Sequence, residues 1–532
     1  MVVSAHPLAS QVGAEIMQQG GNAYDAAVAV HFALAVVYPS AGNIGGGGFA
    51  VFRHADGVSG ALDYRETCPS GVDSLTFLDE EGQVIEGRSL NGHLAAGVPG
   101  SVAGMAALHD SLGSMPWDAL IAPSIRLARE GFPLTRREAD KLRAALPDIR
   151  RFSTQKPASL TRSGPRLEGD TLRLPQLAAT LGRIAARGRA GFYRGKTAEL
   201  LIAEMQRGGG GICHDDLREY RAIWRQPVTG NFHGYALLTM PPPSAGGIGL
   251  IQMLESVEDL PLKHWGWHDP RSLHAMTAAE RWVYADRSRW IGDPAFFELP
   301  RDGLLDTAYI ESRMAATYQP GQAADSDTIG PGTPPFRESD HTTHFSVVDP
   351  EGNAVAVTTT LNQPFGSRVW VAGAGFLLNN EMDDFALKPG AANRYGLGGG
   401  QANAVAPGKR MASSMCPTIV ARDGQLAYVL GSPGGSTIPT TVFQVALNSM
   451  VHGMNMQEAV SAARVHHQWK PDVVLMENAA MHPAVVWGLW RRGNLTVPRM
   501  GFIGAADCIR RRADGRLEGG ADPRGDDAAV GF

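Results

Sequence analysis

Two consecutive threonines near the middle of the chain, Thr342 and Thr343, stand where the sequence pattern changes most sharply. The residues before them, 319–340, have little hydrophobic pattern and are rich in glycine, proline and aspartate, which predicts a flexible surface loop. From Thr343 onward apolar and polar residues alternate, as they do in a strand. The chain must therefore begin a strand directly after a loop, far from either end of the sequence.

The alternating segment continues as a hairpin. A turn at 349–353 separates the strand that starts at Thr343 from a returning strand over 354–360. The two strands are nearly symmetric about the turn, so we expect Thr360 to lie near Thr342. A hydroxyl at Thr342 is ordinary in a strand, but this position also suits an N-terminal nucleophile released by self-cleavage. A freed N-terminal threonine carries its own base, because its α-amino group has a pKa near ~8 and lies beside its own hydroxyl.

Capping residues and periodicity predict the other main elements. Asn22 suits the N-cap of a helix that Pro39 ends. Helices are also predicted over 114–130, 175–187 and 269–290, and strands over 49–52, 418–421 and 426–430. Helices together with hairpin-linked strands predict packed α and β layers.

The composition is that of an ordinary globular protein. The 532 residues are 44% hydrophobic and 19% charged, with a net charge of −5, so charge gives no reason to propose nucleic acid or a membrane as a partner. The most apolar stretch, 23–37, is too short and too polar to span a bilayer. Four scattered cysteines without CxxC spacing argue against a disulfide framework or a zinc ribbon. The sequence given opens without signal-peptide features, which leaves the compartment open.

Neither a metal nor a nucleotide is expected. His341 and His344 have a common metal-ligand spacing, but on a strand that spacing points the two rings to opposite faces. His466 and His467 are interpreted as core or interface residues. The glycine-rich stretches lack the Lys-Ser/Thr ending of a phosphate-binding loop. No cofactor is therefore predicted.

Four other groups of residues suit chemistry, and each also has a structural explanation. Arg65 could hold a substrate carboxylate by a bidentate contact worth roughly 1.5–3 kcal/mol, although a structural arginine is the commoner case. The acidic stretch Asn379–Phe385 could bind a metal or an ammonium group, or be an ordinary acidic turn. Ser413 and Ser414 could hydrogen-bond a carboxylate, or simply supply polarity to a turn. In Ser432–Ser436, successive glycines let backbone N–H groups converge as an oxyanion hole requires, but a tight turn explains them too.

Taken together, these motifs resemble the γ-glutamyltransferase (γ-glutamyltranspeptidase) family of N-terminal nucleophile hydrolases over nearly the whole chain. The matching stretches are Gly20–Ala23, Ala41–Phe49, Pro241–Gly247, Tyr284–Ser288, Thr342–Asp349, Asn379–Phe385, Ser413–Pro417, Ser432–Ser436 and Gly519–Arg524. The resemblance implies an α+β fold, a four-layer αββα sandwich. It also implies a proenzyme that cuts itself between His341 and Thr342 into a large subunit, 1–341, and a small subunit, 342–532, which stay associated.

The resemblance further implies a role for each site residue. Thr342 is the expected nucleophile, supported by Thr360, and Gly434 and Gly435 form the expected oxyanion hole. The α-carboxylate of the γ-glutamyl group is assigned to Arg65, Ser413 and Ser414, its α-amino group to Asn362, Glu381 and Asp384, and the lid over the bound donor to the loop with Tyr395. The expected partners are small γ-glutamyl compounds such as glutathione and an amino acid or dipeptide acceptor.

Physical reasoning agrees with these assignments, because a zwitterionic head group needs a cation on one side and anions on the other. Two alternatives remain. A glutaryl or cephalosporin acylase of the same fold has a substrate without the α-ammonium group, against which the retained Asp384 argues. An unprocessed, non-catalytic binding protein is disfavoured by the intact Thr342. Members of the family are usually exported, so a periplasmic or secreted location is expected, although a cytoplasmic one is compatible with the sequence given. Residues 476–500 match the family only loosely.

Overall fold

The computed structural model describes residues 1–157, 159–161, 164, 166–297, 301–332, 343–388 and 401–532. His341, Thr342 and Tyr395 lie outside these residues. The α-helices are Pro7–Gln18, Ala23–Val37, Ser101–Leu112, Trp117–Glu130, Arg136–Phe152, Pro175–Arg187, Ala190–Tyr193, Lys196–Gly208, His214–Glu219, Gly246–Val257, Leu262–Trp265, Pro270–Trp290, Arg301–Leu304, Thr307–Thr317, Ile438–Met450, Met456–Ser461 and Pro483–Trp490.

Two large sheets form the centre of the molecule. The first has seven strands in the order Ala528–Val530, Val2–Ser4, Thr343–Val348, Ala354–Thr360, Gly47–Arg53, Ser59–Asp63 and Ile223–Arg225. The second has six, in the order Leu517–Gly520, Cys508–Arg511, Gln425–Leu430, Thr418–Arg422, Tyr235–Thr239 and Val228–Phe232. Both large sheets contain strands from before and after residue 342, so neither is formed by one part of the chain alone.

Apolar side chains fill three layers around these sheets. Between the sheets, Phe49, Val51 and Ala356 of the first pack against Ile419 and Val429 of the second. A second cluster joins the outer face of the seven-stranded sheet to the helix Ala23–Val37 and its neighbours. A third joins the six-stranded sheet to Gly246–Val257, Pro270–Trp290 and Ile438–Met450. The expected four-layer αββα sandwich is therefore confirmed.

The hairpin after residue 342 forms as the alternation predicts. Thr343 pairs with Thr359 and Val348 with Ala354 in antiparallel register. All side chains of both strands are buried, because one face meets the helices and the other meets the second sheet. On its other edge the returning strand pairs with Gly47–Arg53, with Thr360 opposite Gly47.

Most predicted helix boundaries also agree with the structure. Asn22 caps the helix Ala23–Val37 in a reciprocal capping box with Asp25. The helix predicted from residue 114, however, begins at Trp117. Ser114 instead donates from its backbone N–H to Asp25 Oδ1 at 3.0 Å and from its hydroxyl to Oδ2 at 2.5 Å. Since that carboxylate lies 89 positions away in sequence, no local pattern indicates the later start.

Three further findings concern the predicted loop, the helices and the cysteines. The described part of the loop over 319–340 contains a two-residue hairpin, Tyr318–Gln319 with Gln322–Ala323. None of the helices in the described ranges combines the length and the apolarity needed to cross a bilayer. All four cysteines are free thiols, three of them buried.

Candidate active site

Arg65 lies at the centre of the site, just after the strand Ser59–Asp63, and its side chain has no exposed surface. Its Nη1 is 2.7 Å from Glu381 Oε2 and its Nη2 is 2.5 Å from Asp384 Oδ2. The same guanidinium donates to the carbonyls of Met411 and Ala412 at 3.2 and 2.9 Å. The structure thus brings together the predicted cation and two of the predicted anions, although they are more than 300 positions apart in sequence.

A third carboxylate, Glu66, also faces this guanidinium, with Oε2 3.5 Å from Arg65 Nη1. Burial raises the pKa of Glu66 to about 7 against the lowering effect of Arg65. Burial likewise raises the pKa of Glu381 to about 8; Arg65 opposes this shift, and the neighbouring Glu66 adds to it. One buried guanidinium therefore faces three buried carboxylates, and the cluster holds more acid than a single cation can neutralise. We call Arg65, Glu66, Glu381 and Asp384 the open cluster.

The acidic stretch forms a turn, the 3₁₀ turn Glu381–Asp384, but its carboxylates are buried, and Glu381 and Asp384 pair with Arg65. Asn379, two residues before this turn, anchors it to the glycine-rich segments. Its Nδ2 donates to the carbonyls of Gly45 and Gly97 at 2.8 and 2.9 Å. The Asn379 Oδ1 accepts the Gly97 N–H at 2.8 Å. The glycine-rich stretch near the start of the chain and the acidic turn are therefore one structural unit.

Thr360 and Asn362 lie beside the open cluster. Asn362 has a φ of 69°, and its Nδ2 donates to the Asn380 carbonyl at 2.9 Å and to Asp384 Oδ1 at 3.4 Å. The Asn362 N–H donates to the Thr360 hydroxyl at 2.6 Å. A Cβ at Gly46 would stand 1.9 Å from the Thr360 carbonyl oxygen, so only glycine allows this approach. The returning strand therefore ends with Thr360 beside the carboxylates of the open cluster.

The glycine loop 432–436 presents two backbone N–H groups. Gly434 and Gly435 have φ values of 137° and 67°, a conformation that favours glycine. Thr437 holds the loop by donating its hydroxyl to the Gly434 carbonyl at 2.7 Å. Within the described part of the chain, no acceptor takes a hydrogen bond from the N–H of Gly434 or Gly435. Gly435 is buried and Gly434 half-buried. Amides removed from water almost always find a partner, so this pair is suited to an incoming oxyanion.

Ser413 and Ser414 are fully buried next to the arginine. Ser413 is tied through its backbone to the segment Pro241–Gly247, which accepts from it at the Pro243 carbonyl, 2.9 Å away. The Ser414 hydroxyl accepts a hydrogen bond from Arg287. The carbonyls of the two residues just before Ser413 accept from Arg65, so both serines are held near the open cluster.

Thr343 marks where the predicted nucleophile joins the fold. Thr343 is bonded to Thr342 and begins the strand Thr343–Val348, and its side chain is buried. The Thr343 hydroxyl has no hydrogen-bond partner among the described residues. The predicted nucleophile is thus attached to the end of the strand that faces Thr359.

Sequence reasoning missed several contributors to the site. Glu66 was not among the predicted site residues, although an Arg-Glu pair after a strand is a usable signal. Tyr284 and Arg287 stood in a matching motif without an assigned role; Tyr284 donates its hydroxyl to the Ser436 carbonyl, and Arg287 reaches Ser414. Their i, i+3 spacing on a helix was the available signal.

Two sheets covered by helices on both outer sides, with buried charges and a glycine loop converging on a strand that starts mid-chain, define an N-terminal nucleophile hydrolase fold. The gamma-glutamyltranspeptidase family model matches residues 9–532, so the chain belongs to that family. It is 44% identical over 534 residues to the glutathione hydrolase proenzyme of Escherichia coli, covering 100% of this chain and 92% of that protein.

Solved structures show the same relationship. A cephalosporin acylase from Bacillus halodurans superposes with a TM-score of 0.88 at 28% identity, covering 100% of this chain and 95% of the other. A gamma-glutamyltranspeptidase chain from Helicobacter pylori has a TM-score of 0.61 at 42% identity, covering 62% of this chain and 94% of the other. The fold is therefore shared with acylases, and the identity is higher to the gamma-glutamyltranspeptidase.

Proposed function

We propose that this protein is a γ-glutamyltransferase with glutathione hydrolase activity, which cleaves γ-glutamyl amides and transfers the γ-glutamyl group to water or to an amino acid or peptide. The open cluster is the observation that carries the proposal. Three buried carboxylates around one guanidinium leave a negative charge that a substrate α-ammonium group would neutralise. Arg65 and the serines would receive the α-carboxylate beside it.

The proposed nucleophile arises by self-cleavage after His341, which frees the α-amino group of Thr342. That amine takes the proton from the Thr342 hydroxyl as the oxygen attacks the γ-carbonyl carbon. The N–H groups of Gly434 and Gly435 stabilise the tetrahedral oxyanion. The C–N bond then breaks, the amine leaves with the proton, and a γ-glutamyl ester on Thr342 remains. Water or an acceptor amine attacks this ester and regenerates the hydroxyl.

The proposed cut gives subunits 1–341 and 342–532. Two observations support it. The residues described before the proposed cut end at Gly332 without regular secondary structure, and those after it begin with the buried strand Thr343–Val348. The Helicobacter pylori chain is nearly covered by 62% of this chain, close to the share that precedes Thr342.

The acylase alternative has support from the fold, because the superposed Bacillus halodurans protein is a cephalosporin acylase. A glutaryl side chain carries no α-ammonium group, so binding it would leave the excess negative charge of the open cluster uncompensated. The charge balance therefore favours a γ-glutamyl substrate.

Hydrolysis of γ-glutamyl-p-nitroanilide and glutaryl-p-nitroanilide tests the proposal, together with denaturing gel electrophoresis. We expect two fragments and a clear preference for the γ-glutamyl compound, with release accelerated by glycylglycine. Thr342→Ala should abolish both cleavage and activity. Thr343→Ala is the matched control, since its hydroxyl has no partner among the described residues, and should retain both. A single full-length band with no activity would reject the proposal, and a preference for the glutaryl compound would assign the protein to the acylases.

A further inference from the structure

The helix Pro270–Trp290 contacts two loops of the candidate active site on one side. Its Tyr284 hydroxyl donates to the Ser436 carbonyl, which lies in the same 3₁₀ turn as Gly435. Arg287, one turn further along, donates to the Ser414 hydroxyl and lies with its guanidinium 5.0 Å from the Tyr284 ring centroid. All of these side chains are buried. The helix thus fixes both the glycine loop and the serine loop.

The same stretch of helix also binds Gly332, which lies ten residues before Thr342. Asp286 Oδ1 accepts the Gly332 N–H at 2.7 Å, and Trp290 Nε1 donates to the Gly332 carbonyl at 2.9 Å. Asp286 also accepts from Arg313, at 2.7 Å, and from the Tyr309 hydroxyl. Both backbone groups of one residue are therefore bound by side chains one helical turn apart.

Nothing in the proposed chemistry uses these contacts. We propose that the helix Pro270–Trp290 is a positioning element: Asp286 and Trp290 aim the precursor segment toward the cleavage site, and Tyr284 orients the oxyanion loop for turnover. The proposal rests on the proposed function and deepens it, because it assigns separate residues to the two reactions of one site.

The grip on Gly332 acts on direction rather than on tether length. Ten peptide links join Gly332 to Thr342, a reach of at most about 33–36 Å. Trp469 holds the chain a few residues upstream by donating to the carbonyls of Ser326 and Ile329 at 2.9 and 2.7 Å. Loop-closure entropy grows only with the logarithm of length, so releasing Gly332 would alter it little. Fixing both backbone groups of Gly332 instead sets the path by which the chain leaves the helix.

The grip on Ser436 acts on a single peptide group. The Ser436 carbonyl follows Gly434 and Gly435 in a tight turn, so its orientation constrains the turn that presents their N–H groups. A donor that holds this carbonyl should affect stabilisation of the oxyanion more than binding of the ground-state substrate.

The first test measures self-cleavage of the full-length precursor. Asp286→Asn should slow conversion about tenfold, because misdirection of a reacting segment is costly, while the fraction that has matured turns over normally. Trp290→Phe, a milder change that removes one donor, should slow conversion less and covers the case in which Asp286→Asn does not fold. Asp269→Asn, at the N-cap of the same helix, is the matched control and should convert like the wild type.

The second test measures steady-state kinetics of mature Tyr284→Phe. We expect kcat to fall about tenfold with little change in KM, whereas Tyr24→Phe, which removes another buried tyrosine hydroxyl, should change neither. A lower kcat together with a higher KM and a lower melting temperature would show a merely structural role and overturn the assignment. Wild-type rates in both Asp286→Asn and Trp290→Phe would overturn the assignment for cleavage. A wild-type chain that never cleaves would instead reject the proposed function itself.

Discussion

Two clusters of charge are centred on Asp63 and on Arg65, which lie two residues apart in the sequence. The two clusters have opposite compositions. In the first, Asp63 is surrounded by two arginines: Arg225 Nη2 is 2.6 Å from Oδ2, and Arg410 Nη1 is 2.8 Å from Oδ1. We call these three residues the closed cluster. In the open cluster, one arginine faces three carboxylates.

The difference lies in how each cluster is completed. In the closed cluster the surplus positive charge is met by the protein itself, because Arg410 also donates to the carbonyls of Arg65 and Arg221 at 3.0 and 2.6 Å. Asp63 in turn accepts the Arg65 N–H at 3.0 Å. In the open cluster the surplus is negative, and burial with neighbouring acids raises the pKa of Glu66 and of Glu381. The contacts of the closed cluster are completed by the protein itself. The carboxylates of the open cluster instead take up protons when no ligand cation is bound.

The largest expected effect comes from changing the open cluster. Asp384→Asn should lower kcat/KM for γ-glutamyl-p-nitroanilide by about thirtyfold or more, since losing one partner of a buried charged contact costs about 2–5 kcal/mol. The melting temperature should change little or rise, because one of three crowded carboxylates is removed. Asp383→Asn in the same turn is the control and should keep most of its activity. Equal losses in both variants would mean that the turn, and not the charge, is what matters.

Changing the closed cluster should have the reverse outcome. Asp63→Asn leaves the buried Arg410 and the half-buried Arg225 without their carboxylate and should lower the free energy of unfolding by about 3 kcal/mol. The folded fraction should keep kcat/KM within tenfold of the wild type, because Asp63 supports Arg65 only through its backbone. Denaturant unfolding and kinetics on the same sample measure both quantities. The exposed Asp56→Asn serves as the control, with a change below about 0.5 kcal/mol.

The smallest expected effect is a pH dependence that is confined to the open cluster. The folded-state pKa values of Glu66 and Glu381, about 7 and about 8, lie above the usual glutamate value of 4.5. Folding therefore takes up protons at pH values between 4.5 and about 8. The stabilisation is full below about pH 4.5 and is lost as the pH rises through 7 and 8. A substrate ammonium prefers the ionised carboxylates, so KM should fall over the same range. Glu66→Gln should flatten both profiles, and an unchanged profile would refute the assignment.

How far the sequence predicts this structure depends on the range of the interactions involved. The hairpin 343–360 and the helix Pro175–Arg187 agree with their predicted bounds, because periodicity and punctuating residues are local signals. The start of the helix at Trp117 was not predictable, since a carboxylate 89 positions away decides it.

The site shows the same limit. Each of Arg65, Glu381 and Asp384 had a plain structural explanation when considered alone, and only family resemblance assigned them to one substrate. Their contacts span more than 300 positions, so no spacing rule connects them. Glu66 was overlooked for the same reason: its role depends on the charge balance of a cluster that exists only in the fold.

The interleaving of the central sheets has a consequence for the life of the mature protein. Val2–Ser4 lies between Ala528–Val530 and Thr343–Val348, so the proposed break after residue 341 would leave two polypeptides that share one sheet. Separating the two polypeptides would require breaking the hydrogen bonds between paired strands. Their reassembly would be a bimolecular reaction, whose rate falls on dilution. The uncut precursor could recover from denaturation at any concentration, whereas the cut form would depend on never unfolding.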